Sequence, residues 1–221
     1  MMPPNLLAPT VDLFGASRPE TDLGPGARFL GGFARTDAHA LLVAIANVAA
    51  AAPFRHMTTP GGWLMSVAMT NCGSVGWVTD QTGYRYDKID PATSGPWPEM
   101  PDVFADLAMR AADAAGFSGF VPDACLINRY RAGARMSLHQ DRNEQDFGQP
   151  IVSISLGLPV IFLWGGDSRS VRPRRVLLEH GDGIVWGGPA RKIYHGVHRL
   201  AAGYHPMTGE FRYNLTFRKA Q

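Results

Sequence analysis

The last hundred residues constrain the fold most. After Pro122 the chain breaks into short apolar or alternating runs at 124–130, 136–140, 151–156, 160–164, 176–179, 183–186, 192–197 and 211–218, parted by Gly, Pro and Asp. Runs this short and this regularly punctuated cannot form helices of useful length. They predict an antiparallel β-sandwich or jelly roll. The final run is the most regular: Phe211, Tyr213, Leu215 and Phe217 share one face, and Arg212, Asn214, Thr216 and Arg218 share the other. A strand of this pattern ordinarily sets one face in the core and the other in water. In a barrel-like sandwich the polar face can instead line a cavity.

Upstream the pattern differs. Residues 1–35 are rich in Pro and Gly and read as irregular, with room for one short strand. Thr36 is placed as the N-cap of a helix from Asp37 to about residue 52, ended before Pro53. Residues 54–100 hold paired glycines with Trp63, Trp77, Tyr84, Tyr86 and Trp97 and lack a helical period, so they read as hairpins and loops. Pro101 opens an amphipathic helix carrying Val103, Phe104, Leu107, Ala108, Ala111 and Ala112, closed by Gly116. The expected class is mixed α+β, mainly β, with the helices packed outside one sheet. A length of 221 residues fits a single domain, 1–221.

Composition narrows the setting. Hydrophobic residues make up 45% and charged residues 18%, which excludes a disordered chain. A net charge of +2 does not by itself point to nucleic acid. Only Lys88, Lys192 and Lys219 among 21 basic residues are lysines, an arginine bias that suits planar anions and that genomic base composition explains equally well. Two cysteines, Cys72 and Cys125, cannot form a structural zinc site alone. No signal peptide is visible, and the apolar stretch 40–52 is too short for a membrane span. A cytoplasmic, membrane-free monomer is expected.

Two groups of residues carry chemistry. In His139-Gln140-Asp141 the outer two residues share a strand face about 6.6 Å apart, so both can reach one ion. A third ligand must come from elsewhere. His195 is the choice, with His180, His198 and His205 as competitors. Two histidines and one carboxylate on one face of iron(II) leave the opposite positions open. On the strand 211–218 the Cα atoms of Arg212 and Arg218 would stand about 20 Å apart. Leaning inward, they could bracket a five-carbon dicarboxylate bound to the iron, with Asn128 and Tyr130 adding hydrogen bonds.

With these residues in place the chain resembles the AlkB family of nucleic-acid repair dioxygenases, from about Asp12-Leu13-Phe14 to the C-terminus. The resemblance rests on Thr59-Pro60-Gly61-Gly62, the run from Met65 to Gly73, Pro96-Trp97-Pro98-Glu99-Met100-Pro101, the run from Pro122 to Tyr130, Ser137-Leu138-His139-Gln140-Asp141, and the strand from Arg212 to Arg218. The order H-x-D, a later H, then R-x-N-x-T-x-R is specific to the family. It implies a double-stranded β-helix, with an N-terminal extension and helix at 1–53, a nucleotide-recognition lid at 54–100, and a helix plus catalytic core at 101–221. It implies iron(II) on His139, Asp141 and His195, with 2-oxoglutarate and O2 as co-substrates. Arg212, Asn214 and Tyr130 match residues on the distal carboxylate of the diacid, and Arg218 matches the arginine near its metal-bound end. Asn128, Arg129 and Thr216 are assigned to the same site.

For the substrate, Trp77 matches a ring that stacks on the damaged base, with His139 opposite. Tyr84, Arg85 and Tyr86 match a backbone-contacting segment, and Met69 and Arg169 match pocket and backbone-facing positions. The implied activity is oxidative demethylation of bases such as 1-methyladenine and 3-methylcytosine in single-stranded DNA, extending to RNA or a duplex with a flipped base. The chain departs from the family's bacterial prototype at Asn143, where that protein has an acidic residue facing the base. A 2-oxoglutarate hydroxylase of protein or small molecules, and a non-catalytic jelly-roll module, are the alternative readings.

Overall fold

The structure is a computed structural model and describes residues 21–221; the start of the resemblance, Asp12 to Phe14, lies outside them. A short strand β1 (Ala27–Leu30) precedes helix α1 (Ala38–Ala51). Strands β2 (Arg55–Thr58), β3 (Leu64–Gly73), β4 (Gly76–Asp80) and β5 (Gly83–Asp87) follow, then helix α2 (Asp102–Ala114). All eight runs expected beyond Pro122 are strands: β6 (Ala124–Tyr130), β7 (Met136–His139), β8 (Ile151–Gly157), β9 (Val160–Trp164), β10 (Arg174–Leu178), β11 (Gly183–Trp186), β12 (His195–Val197) and β13 (Arg212–Arg218).

They assemble into a seven-stranded sheet, β1-β11-β8-β13-β6-β3-β2, a four-stranded sheet, β10-β9-β12-β7, and a separate β4–β5 ribbon. Residues 54–100 therefore divide: β2 and β3 extend the large sheet, and β4–β5 form a separate ribbon packed against β2, β3 and β6. Every pairing is antiparallel. The two larger sheets enclose an apolar cluster that includes Met69, Tyr130, Ile151, Phe162, Trp164 and Trp186. This is the double-stranded β-helix with outer helices that the sequence led us to expect.

The helices cover the other face of the large sheet. In α1 the buried positions Ala38, Leu41, Ala44, Ile45 and Val48 form one stripe, and in α2 Phe104, Leu107, Ala108, Ala111 and Ala112 recur at intervals of three and four. They pack on Cys125, Ile127, Val152, Ile154, Leu215 and Phe217, with Phe104 edge-on to Phe217 at 5.9 Å. α2 ends in a Schellman motif: Phe117 N–H reaches Ala112 O, Gly116 N–H reaches Asp113 O, and Gly116 takes φ +85°. The start of α1 corrects the sequence reading. Asp37, not Thr36, is the N-cap; it makes no side-chain cap, and its carboxylate lies 3.1 Å from Arg110 of α2. Pro101 likewise caps α2 and does not occupy its first turn.

β13 lies between β8 and β6 at the middle of the large sheet. Tyr213, Leu215 and Phe217 face the helices. Arg212, Asn214, Thr216 and Arg218, all buried, face the second sheet. The polar side of this strand is thus not in water but inside the molecule, where each group needs a partner.

Candidate active site

Three ligating side chains converge at the mouth of the sandwich. His139 ends β7 and His195 opens β12, and the two are direct cross-strand partners. Their rings lie 4.4 Å apart. Asp141 follows β7 by two residues, with Oδ1 3.7 Å from His139 Nε2 and Oδ2 3.9 Å from His195 Nε2. One ligand atom from each lies within 4.8 Å of the others, which a single ion can bridge. Each histidine is oriented by its own main chain: His139 Nδ1 bonds Ser137 O at 2.9 Å and His195 Nδ1 bonds Ile193 O at 3.0 Å. With Nδ1 donating, both Nε2 lone pairs are available to a metal. The competing histidines are elsewhere; His180 and His205 stack on each other at 4.4 Å.

Electrostatics favour the ligating forms. Burial, reinforced by nearby His139, lowers the His195 imidazole to about 4, so it is neutral near pH 7. Burial works against ionisation of Asp141, but Arg218, His195 and His139 outweigh it and hold the carboxyl well below the usual range. Arg218 grips Asp141 Oδ2 with Nη2 at 2.6 Å and Nε at 3.1 Å.

The inward face of β13 continues the site. Arg212 is 1% exposed. Its Nη2 donates to Ser155 Oγ at 2.9 Å, while Nε and Nη1 find no partner among the described residues. Its guanidinium carbon lies 4.9 Å from the centre of the Tyr130 ring. Asn214 donates to Ser153 Oγ and Ile154 O and accepts from Thr216 Oγ1 and Asn128 Nδ2. Asn128 Oδ1 is also buried without a partner. A buried cation with two unmatched donors is expensive to keep and calls for an anion. A carboxylate group at the end of a small diacid fits this end of the cavity.

The other expected positions divide. Met69 is buried beside Asn128 in the register of β3 and β6. Trp77 on β4 stacks with Tyr84 on β5 at 5.7 Å, and its Nε1 donates to Asn143 Oδ1 at 3.3 Å. Arg169 donates to Leu138 O at 2.8 Å, at the rim next to His139. Three further residues are already partnered within the protein. Arg129 alternates to the helix side of β6, where its guanidinium lies over Phe54 at 4.4 Å and Phe211 at 5.1 Å, away from Arg212. Arg85 is committed to Asp80 and Asp87 on its own ribbon. Tyr86 turns inward and donates its phenol to Glu144 Oε1 at 2.6 Å. Arg218 is likewise paired, with Asp141 and Glu144.

The sequence reading missed Glu144 and Arg191. Glu144 bonds Arg191 Nη2 at 3.0 Å and forms an ion pair with Arg218, whose Nε lies 3.3 Å away. Arg191 also donates to Asp141 O at 2.8 Å and Gln149 O at 3.0 Å, fastening the segment after the metal motif. No local pattern marks either residue, because their partners are 42 to 74 positions away in the chain.

Comparison with known proteins decides the family. The model of the 2OG-Fe(II) oxygenase superfamily matches residues 26–218. The chain is 57% identical over 211 residues to the alpha-ketoglutarate-dependent dioxygenase AlkB of Salmonella typhimurium, covering 95% of this chain and 98% of that protein. The chain belongs to the AlkB family. The AlkB of Escherichia coli K12 is 56% identical with the same coverage. Among solved structures, one described as the structure of OsALKBH1 superposes with a TM-score of 0.79 at 27% identity, covering 91% of this chain and all of that one. Membership makes this chain an Fe(II)/2-oxoglutarate-dependent oxygenase, with a His-Asp-His triad of the kind that chemistry uses. Among the described residues no helix is long and apolar enough to cross a membrane.

Proposed function

We propose that the chain removes N-alkyl groups from nucleic-acid bases, 1-methyladenine and 3-methylcytosine in single-stranded DNA first among them, with RNA as a further substrate. The observation that carries this is the link between ribbon and metal motif: Trp77 is hydrogen-bonded to Asn143, two residues beyond Asp141. A flat aromatic surface therefore stands beside the triad, where a base could stack with its methyl group toward the ion. The AlkB proteins of Salmonella and Escherichia coli, named as dioxygenases, support the same reading.

His139, Asp141 and His195 would hold iron(II), and Arg212, with Tyr130 beside it, would receive the distal carboxylate of 2-oxoglutarate. With dioxygen, these groups supply when bound the oxidising power that hydroxylates an N-methyl group, which then leaves as formaldehyde while 2-oxoglutarate becomes succinate and carbon dioxide. The protein's own task is geometric. It fixes the methyl carbon beside the oxidant and limits the access of water. Met69, buried beside Asn128, would lie under the base, and Trp77 and Tyr84 offer stacking worth about 1–3 kcal/mol per base, which offsets part of the cost of unstacking a target.

Arg169 and the exposed Arg172, Arg174 and Arg175 would meet phosphates. We assign residues 54–100 as the recognition lid, with the β4–β5 ribbon its part nearest the triad, and place the enzyme in the cytoplasm as a monomer. Asn143 is neutral and its carbonyl is engaged by Trp77, so preference for a cationic base by charge is weaker than a carboxylate would give. The test is formaldehyde released from methylated single strands with iron, ascorbate and 2-oxoglutarate. Release no greater than from unmethylated strands would overturn the proposal.

A further inference from the structure

Glu144 is the meeting point of three elements. Its Oε1 accepts from the Tyr86 phenol on β5 and lies 3.3 Å from Arg218 Nε on β13 as an ion pair, and its Oε2 accepts from Arg191. Arg218 in turn holds Asp141 Oδ2, and Arg191 holds the Asp141 carbonyl. Asp141, Glu144, Arg191 and Arg218 are all buried. Two carboxylates and two guanidiniums thus neutralise one another in a site where an unpaired charge would be costly. Given that arrangement, the phenol is not needed for charge balance. What it adds is a connection: it is a short, part-buried hydrogen bond between the β4–β5 ribbon and the segment after the metal motif. The other such link, Trp77 to Asn143, is longer and exposed.

The ribbon's base is held separately. Asn71 bonds the Trp77 main chain through both amide atoms, Thr79 Oγ1 donates to Thr58 O, Val78 is buried in the core, and Trp97 Nε1 donates to Asp87 O. Those contacts seat the ribbon against the large sheet. They do not reach Asp141.

We infer that Glu144 is a positioning residue which, through Tyr86 and Arg218, couples placement of the β4–β5 ribbon to the orientation of Asp141. A ribbon settled on a strand would pull Tyr86, Glu144 and Arg218 into one geometry and so fix the carboxylate arm of the triad. A loose ribbon would leave that arm less defined. The consequence is tight coupling between substrate engagement and oxidant use. The inference rests on the function proposed above, and its substrate is the same methylated strand.

The test removes one oxygen. Tyr86→Phe keeps the ring and its packing and deletes the bond to Glu144; Glu144→Gln keeps the shape and weakens all three contacts. In the metal-free protein, hydrogen exchange at ribbon amides 76–87 should quicken about tenfold in Tyr86→Phe, the scale of one charge-assisted hydrogen bond. Exchange in β8 and β13 should not change. In the loaded enzyme the ratio of succinate to formaldehyde should rise by a similar factor. The double variant should show no more ribbon exchange or uncoupling than Glu144→Gln alone.

Unchanged ribbon exchange, an unchanged product ratio, or additive effects in the double variant would each overturn the inference. Should the wild-type chain release no formaldehyde from methylated strands, the functional proposal fails, and the exchange arm still decides whether Glu144 ties down the ribbon.

Discussion

Arg212→Met separates a ligand-binding arginine from a structural one. The wild-type guanidinium keeps one hydrogen bond, to Ser155 at 2.9 Å, and two nitrogens without partners among the described residues. Losing the charged hydrogen bond costs about 1.5–3 kcal/mol, and losing the contact with the Tyr130 ring up to about 2 kcal/mol. Removing two unmatched buried donors returns about 1–3 kcal/mol each. These terms nearly cancel, so the ligand-free variant should lie within about 2 kcal/mol of wild type. A buried arginine in a complete ion-pair network would cost about 3–5 kcal/mol when removed. Ligand exposes the difference. At a hundred times its dissociation constant, 2-oxoglutarate should stabilise the manganese-loaded wild type by about 2.7 kcal/mol. For a chain of this size that raises Tm by roughly 5–11 °C. Arg212→Met should show no such rise. Scanning calorimetry with and without the diacid measures both quantities. A ligand-free loss above about 4 kcal/mol, or a full rise with 2-oxoglutarate, would refute the reasoning.

Other outcomes follow from the same geometry. Glu144→Ala leaves Arg191 and Arg218 short of a buried partner and should destabilise the fold by about 3–5 kcal/mol in urea titration, unlike an exposed pair such as Arg110–Asp106. His195 has its folded pKa lowered from 6.5 to about 4, so the unfolded chain binds the extra proton between those values. Its contribution, on the order of 3 kcal/mol, is complete above pH 6.5 and lost as pH falls toward 4; the metal-free His195→Ala variant should have a flatter stability profile across that window. Trp77→Ala should raise KM for a methylated strand roughly 5- to 150-fold, the equivalent of about 1–3 kcal/mol of stacking, while succinate formation without nucleic acid persists. Equal loss of both activities would make Trp77 structural.

What the sequence revealed and what it concealed differ in physical kind. The alternation of β13 and the H-x-D pair are periodic signals, and periodicity survives folding because a strand sends successive side chains to opposite faces. The same rule, applied to β6, separates Asn128 and Tyr130 from Arg129, which the family resemblance alone had grouped with them. Thr36 missed the cap by one residue, because the helix begins at Ala38. The partner of Asp37, Arg110, lies far along the chain, where local spacing cannot signal it. Glu144, Arg191 and the inward turn of Tyr86 were illegible for a related reason. Each is explained only by partners on other strands, and no spacing within one segment encodes them. Arg218 shows both sides. Its place on the inward face was readable, but its commitment to Asp141 depended on where the loop after β7 returned.

Diffraction from crystals grown with manganese and 2-oxoglutarate tests the central claim most directly. Anomalous scattering should place one ion in contact with His139 Nε2, Asp141 and His195 Nε2, with the far carboxylate of the diacid on Arg212. An ion bound elsewhere, or a diacid that leaves Arg212 unpaired, would contradict it.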